Sequence, residues 1–224
     1  MSLPRLIIGN RNYSSWSLRA WLCLRKSGVE FEETLLPLDT AEFARRIPDL
    51  SPSGTVPVLW DKELCIWDSL AIAEYINEQY ADGALWPDQR EWRALGRAMV
   101  AEMHGGFGHL RSAMPMNFRA RNRHIPQNPG LQRDIDRMSA LWLQARELSA
   151  PAGPWLLGRY SIADAYFAPV VVRFGSYGVG FSSPLLTDYC TAVRSDHDLQ
   201  EWQKLAAAEE WVVEQDEAGV ERDP

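Results

Sequence analysis

The sequence predicts a mixed α/β unit followed by an all-helical region. Two patterns and one joint carry that expectation. Strand-length apolar runs and amphipathic helical stretches alternate from the start to about residue 80, in the order βαβαββα. From about residue 89 the strand signals stop, and helical spacing continues through 89–114, 131–148, 161–174 and 198–214. Between them lies a turn-rich joint, Ala81-Asp82-Gly83 through Pro87-Asp88. The expected domains are 1–82 and 88–224.

Each element has a local reason. Leu6-Ile7-Ile8 is a short apolar run before Gly9 and reads as a buried strand. Asn10 to Ser15 is a polar loop, and Ser14 or Ser15 can cap a helix whose apolar face is Leu18, Trp21 and Leu22. Gly28 suits the left-handed end of that helix. Phe31, Leu35 and Leu36 mark a second strand, and Thr40 to Ile47 a short, weak helix. After the turn Ser51-Pro52-Ser53-Gly54 come strands Val56–Trp60 and Leu64–Trp67, joined by a tight hairpin at Asp61-Lys62-Glu63. Ser69 to Tyr80 is a helix with Ile72, Ile76 and Tyr80 spaced by four. The acidic tail from Glu214 to Pro224 is expected to fray.

Composition excludes several classes. The chain has 224 residues, 46% hydrophobic and 24% charged, enough to bury a proper core. Its net charge is −7, from 23 basic and 30 acidic residues, which argues against nucleic acid or an anionic membrane as partner. No apolar run nears the roughly 18 residues of a membrane span. The opening MSLPRLIIGN lacks the layout of a secretory leader. Cys23, Cys65 and Cys190 are too few and too scattered for a disulfide framework or a four-cysteine zinc site. The expected setting is the cytoplasm, with no bound metal.

Three stretches can carry chemistry. In Asn12-Tyr13-Ser14-Ser15-Trp16-Ser17-Leu18-Arg19, two hydroxyls sit where a strand ends and a helix begins. Unpaired N–H groups and about half a positive charge there stabilise anions, thiolates included. A serine at that place can equally be a helix cap and nothing more. In Thr55-Val56-Pro57-Val58-Leu59, a proline in an inner strand removes a ladder donor. A cis bond turning the Val56 backbone toward a ligand explains it; so does an edge strand. In Asp68-Ser69, Asp68 can cap the next helix, or Ser69 and its N–H can hold a carboxylate while Asp68 holds an ammonium. All three lie at strand–helix junctions, where α/β sheets bind ligands. A ligand with a thiol, an extended peptide backbone, a carboxylate and an ammonium would answer all three.

Glutathione has those groups, and the chain resembles the cytosolic glutathione transferases over nearly its whole length. The motifs are Ser14-Ser15-x-Ser17-x-Arg19, Val56-Pro57-Val58-Leu59, Asp68-Ser69-Leu70-Ala71-Ile72-Ala73-Glu74-Tyr75 and Ser161-Ile162-Ala163-Asp164. The last is a capping box and a folding element. The resemblance implies a thioredoxin-like N-terminal domain, an all-helical C-terminal domain and a homodimer. It implies glutathione as co-substrate, no metal, an electrophilic small molecule as second substrate, and a role in detoxification. The serine loop is similar to the zeta-type pattern, in which two serines precede a cysteine. That carries the catalytic role to Ser14, with Ser15 as second contact; a subclass pattern aligned on Arg19 favours Ser15. Val56, Pro57, Asp68 and Ser69 take the glutathione-binding roles. Trp16 stands at the family's cysteine position, which argues against maleylacetoacetate isomerisation and against thiol exchange at this loop. Cys23 lies about two turns further along the helix. The rivals are a glutathione-dependent isomerase or peroxidase, and a glutathione-binding protein without turnover.

The energetics of such a site are modest. A free thiol has a pKa of about 8.5, and lowering it by about 2 requires about 2.7 kcal/mol. A hydroxyl donating to an anion contributes roughly 1.5–3 kcal/mol and a helix start roughly 0.3–1 kcal/mol, so no general base is needed. The second substrate is expected between the domains. Met103, Phe107 and Tyr166 are its candidates by position, and ordinary core packing is the alternative for each. His104 and His109, five apart, do not share a helix face as a metal pair would. Gly105-Gly106-Phe107-Gly108 follows no strand and suits a kink or close helix approach better than a dinucleotide loop. Arg119, Arg121, Arg123 and His124 form a basic patch, read as a solvated loop or, less simply, as an anion site.

Overall fold

A computed structural model describes residues 2–126 and 128–221. The first strand, β1 (Arg5–Ile8), pairs in parallel with β2 (Glu32–Leu35) and antiparallel with β3 (Val58–Asp61). β3 in turn forms a hairpin with β4 (Leu64–Trp67), so the sheet order is β2-β1-β3-β4. The hairpin turn places Lys62 at φ 55°. Alternation along the strands divides the sheet. Leu6, Ile8 and Leu59 face helices α1 (Ser15–Ser27) and α3 (Ser69–Gln79). Ile7 and Val58 face Ile47 of α2 (Ala41–Leu50). Gly28 ends α1 at φ 76° with its N–H on the Arg25 carbonyl, the left-handed end that the sequence predicts.

The second half is helical: α4 (Arg90–Gly105), α5 (Gly108–Ala113), α6 (Pro129–Ser149), α7 (Ile162–Ser176), α8 (Pro184–Arg194) and α9 (His197–Ala207). Its centre is Trp142, whose ring meets those of Phe167, Phe174, Phe181 and Tyr189 at centroid distances of 5.2–5.9 Å. The capping box at the start of α7 forms as expected. The Ser161 N–H and hydroxyl donate to one Asp164 oxygen at 2.8 and 3.0 Å, and the Leu156 N–H to the other at 3.0 Å.

The two halves share one core. α1 lies against α7, and Trp21 meets Trp202 of α9 edge-on at 5.2 Å. Arg25 pairs with Asp198 and Glu201, and Lys26 with Asp196 and Asp198. These ion pairs take the carboxylates of the His197, Asp198 and Glu201 cluster, whose atoms otherwise stand close enough to hold a metal. Among the described residues, no helix is long and apolar enough to cross a membrane.

The structure differs from the expected elements in several places. The helix predicted over 89–114 breaks at Gly106, and Phe107 adopts φ 57° before α5 starts; the glycine-rich stretch is a kink. Pro57 lies just ahead of β3, which is an inner strand, so the proline costs the sheet no ladder donor and the edge-strand alternative fails. The Val56–Pro57 peptide is cis. α8 was not expected, because Thr187, Tyr189, Cys190, Thr191 and Val193 are weak helix formers; packing of Leu186, Tyr189, Cys190 and Val193 overrides that weakness. α9 ends at Ala207 rather than continuing to 214, because Glu209 turns back to bond the loop after β1.

The tail is not frayed over its described part. Val220–Glu221 forms β6, paired with β5 (Arg123–His124). Arg119 donates to the carbonyls of Glu209 and Trp211, and Arg123 pairs with Glu217 at 2.6 Å. Two residues of the basic patch, Arg119 and Arg123, therefore clamp the chain that follows α9, while Arg121 and His124 stay exposed as a solvated loop would have them. The last three residues of the predicted tail lie outside the described residues.

Candidate active site

The loop from Gly9 to Ser14 connects β1 to α1 and is tightly held. The Gly9 N–H donates to Ser17 Oγ at 3.0 Å, Asn10 Oδ1 accepts the Leu38 N–H at 2.7 Å, and the Ser14 N–H reaches the Asn10 carbonyl at 2.8 Å. Both serines that the sequence singles out are 7% exposed, and both line one cavity of about 520 Å³. Their hydroxyls are in different states.

Ser14 is the cap of α1. Its Oγ accepts the Ser17 N–H at 3.3 Å and donates its proton to Ser17 Oγ at 2.8 Å. Ser15 Oγ accepts from two guanidiniums, Arg19 Nη1 at 3.3 Å and Arg173 Nη2 at 3.2 Å. Among the described residues, no protein acceptor takes the Ser15 proton. A hydroxyl that accepts two charged donors is polarised and keeps its own O–H to give.

The two arginines are unusual. Both are buried, and neither stands within 4 Å of a carboxylate among the described residues. Arg19 Nε donates to the Tyr166 carbonyl, and its guanidinium stacks on Trp16 at 4.3 Å. Arg173 Nε donates to the Met114 carbonyl at 2.8 Å. Among the described residues, Arg19 Nη2 and Arg173 Nη1 have no hydrogen-bond partner. Burial lowers Arg19 to about 9 and Arg173 to about 10, and the charge of Asp216 opposes the fall at Arg173. Both therefore remain cations at neutral pH. Arg111, over Trp16 at 5.6 Å, joins Arg173 on the cavity wall, while Arg19 lies buried behind it. Asp216, from the tail, lines the same cavity, and burial raises its carboxyl. On a chain of net charge −7, this pocket is a local concentration of positive charge.

The other predicted site residues fall in different places. Val56 lines the cavity with Gly54 and Thr55, while Pro57 is buried behind it. Asp68 caps α3 through the Leu70 N–H at 2.8 Å, and Oδ2 lies 3.4 Å from His104 Nε2. Ser69 is buried with its hydroxyl on the Tyr166 hydroxyl at 3.0 Å. Neither Asp68 nor Ser69 lines the cavity; His104, edge-on to Trp16 at 5.3 Å, links Asp68 to its rim. Met103, Phe107 and Tyr166 are core residues and do not line it either. Cys23 is fully buried, and burial pushes its thiol up, away from any thiolate role.

Sequence reasoning did not reach Arg111, Arg173 or Asp216. A signal for Arg173 exists: it is the one basic residue in helix Ile162–Ser176, whose other charged residue, Asp164, is spent on the capping box. A lone cation on a buried helix requires a partner or a function. The chemistry open to this pocket is stabilisation of an anion at the start of α1 by one free hydroxyl, with buried positive charge behind it.

Comparison with known proteins places the chain in a family and a fold. The family described as "Glutathione S-transferase, N-terminal domain" matches residues 13–79. A glutathione S-transferase 1 from Dianthus caryophyllus is 35% identical over 177 residues, covering 77% of this chain and 80% of that protein. A stringent starvation protein A homolog from Pasteurella multocida is 25% identical over 167 residues, covering 72% and 71%. Among solved structures, a glutathione transferase homolog from Burkholderia, with bound glutathione, superposes with a TM-score of 0.68 at 22% identity, covering 92% of this chain and 99% of that one. Sequence, fold and relatives converge, and the chain belongs to the glutathione S-transferase family.

Proposed function

We propose that the protein is a glutathione transferase in which Ser15 holds the glutathione sulfur as a thiolate. One observation carries this reading: the Ser15 hydroxyl accepts from two buried guanidiniums, keeps its proton free and lines the 520 Å³ cavity. The thiol proton leaves to solvent. Ser15 keeps its own proton and donates a hydrogen bond to the sulfur anion. The start of α1 and the charges of Arg19 and Arg173 add to the same effect. The sulfur lone pair then forms a bond to an electrophilic carbon, and the leaving group departs with the electrons of the broken bond. Ser14 acts through the helix cap, which sets the first turn on which Ser15 sits.

Residues 1–82 supply the glutathione side, with Val56 beside the peptide backbone, Pro57 buried behind it, and Asp68 and Ser69, which lie outside the cavity, assigned to the γ-glutamyl end. A structure of this fold from Burkholderia holds glutathione, which supports glutathione as the ligand. Residues 88–224 supply the electrophile wall, through Arg111, Ser112, Met116 and Arg173. A homodimer in the cytoplasm completes the proposal. Leu64 and Trp67 on the edge strand β4 are 51% and 46% exposed, an apolar surface suited to a second copy. Trp16 at the cysteine position and the burial of Cys23 favour conjugation over thiol exchange.

The test is a glutathione titration followed by an electrophile panel. Bound glutathione should ionise below its free pKa, and a halonitroarene should be conjugated. Retention of glutathione without turnover on a halonitroarene, an organic peroxide or a cis-dienoate would favour a binding protein instead. An absence of glutathione binding would overturn the proposal.

A further inference from the structure

The segment after α9 crosses back to the serine loop, where Glu209 meets the backbone of Arg11 and Asn12. We propose that Glu209 is a positioning residue for the reaction: its carboxylate fixes the loop between β1 and α1 in the form that presents the Ser15 hydroxyl to the cavity. The inference rests on the proposed role of Ser15 and extends it to a residue far away in sequence.

The geometry is specific. Glu209 is 8% exposed, and a carboxylate so placed is costly unless its oxygens are satisfied. They are satisfied by the loop itself. Oε1 accepts the Arg11 N–H at 2.9 Å and Oε2 accepts the Asn12 N–H at 3.2 Å, across 198 and 197 residues. Without Glu209 these two amides would be donors without acceptors, immediately ahead of the helix start. The Arg11 side chain stands 3.7 Å from Oε1 and offsets part of the charge.

The opposite side of the loop is held as firmly. Asn12 is fully buried; its Oδ1 accepts the Arg119 N–H at 2.9 Å, and its Nδ2 donates to Asn117 Oδ1 at 2.9 Å. The Phe118 N–H reaches the Asn12 carbonyl at 3.3 Å. Arg119 then ties both partners together, donating to the Glu209 carbonyl and to the Tyr13 hydroxyl. The loop is thus gripped between residues 117–119 and Glu209. It enters α1 through the Ser14 N–H on the Asn10 carbonyl, so displacement of Arg11 and Asn12 moves the turn carrying Ser15.

The charge of Glu209 separates positioning from simple electrostatics. A carboxylate near a bound thiolate repels it, so neutralising Glu209 would by charge alone increase ionisation of the sulfur. Loss of positioning acts in the opposite direction. The groups facing Glu209 from the packed elements are Arg11 and Arg119, both cations, and burial raises its carboxyl against them.

The experiment uses the full chain with glutathione bound, following the ultraviolet thiolate band against pH. In Glu209→Gln, the thiolate fraction at pH 7 should fall about tenfold, roughly the loss of one charge-assisted hydrogen bond. The kcat should fall with it and recover at alkaline pH. An unchanged or increased thiolate fraction would overturn the proposal. Arg123→Gln serves as a control, since it removes the bonds to Glu217 and Gly219 that hold the distal tail and leaves Glu209 in place. It should titrate like the unaltered protein; a fall equal to that of Glu209→Gln would assign the effect to the tail as a whole and overturn the proposal. Hydrogen exchange on the unaltered protein needs no variant: the Arg11 and Asn12 amides should be protected as well as those inside α1, and rapid exchange would contradict the grip. If the unaltered protein binds glutathione without depressing its thiol pKa, the role of Ser15 fails first.

Discussion

Replacing Ser15 by alanine removes one oxygen, and the size of the effect can be worked out beforehand. The lost interaction is a hydroxyl hydrogen bond to an anion, roughly 1.5–3 kcal/mol. A bound thiol held near a pKa of about 6.5 would rise to about 7.6–8.7. Its thiolate fraction at pH 7 would fall by about 4- to 40-fold, while at pH 9.5 little difference would remain. The two guanidiniums that now donate to Ser15 Oγ keep their other acceptors, the carbonyls of Tyr166 and Met114, so α1 and α7 stay joined. The assay is conjugation of a halonitroarene at saturating glutathione across pH, with the thiolate band read in parallel. A Ser15→Ala protein whose thiolate titration and pH–rate profile match the unaltered protein would refute the reasoning. So would a large shift in Ser14→Ala with none in Ser15→Ala, because Ser14 gives its proton to Ser17.

Other consequences are independent of that result. Ser14→Ala should cost about 1 kcal/mol of stability through loss of the cap, lowering Tm by about 2–4 °C, with a small effect on the thiol pKa; differential scanning calorimetry reads it. The cationic wall should favour electrophiles with a carboxylate. Relative to their uncatalysed rates, 4-chloro-3-nitrobenzoate should outrun its amide, and Arg111→Gln should erase the difference; equal rates in the unaltered protein would contradict the assignment of the wall. Burial pushes the Asp164 carboxyl from 3.8 up to about 7, against hydrogen bonds from Leu156 and Ser161. A carboxyl raised on folding stabilises most at low pH, and that contribution is lost as pH rises from about 4 to about 7. Asp164→Asn should therefore gain on the unaltered protein across that window, by at most about 4 kcal/mol, measured by urea denaturation; a pH-independent difference would contradict it.

The architecture was legible because its signals are local. Leu6-Ile7-Ile8 and Val58-Leu59 alternate across the sheet, Ser14 and Gly28 bracket α1, and Ser161 with Asp164 opens α7, all within a few residues of one another. α8 was hidden by weak helix formers, although Pro184 at its first turn and the spacing of Leu186, Tyr189, Cys190 and Val193 were available signals. The serine loop could be found from sequence, yet the difference between its two serines could not. Ser14 is defined by Ser17, three residues away, whereas Ser15 is defined in part by Arg173, 158 residues away. The end of the chain followed the same rule: the acidity of the tail from Glu214 suggests solvent and helical spacing covers Glu209, and only the folded chain shows Glu209 and Glu217 bonded to the loop and its clamp.

The most direct measurement is a crystal structure of the protein with glutathione, collected near neutral pH. The account predicts the sulfur within hydrogen-bond reach of Ser15 Oγ, on the side opposite Arg19 and Arg173, with the peptide running past Val56. A sulfur resting on Ser14 or Tyr13, or beyond contact with either serine, would contradict it.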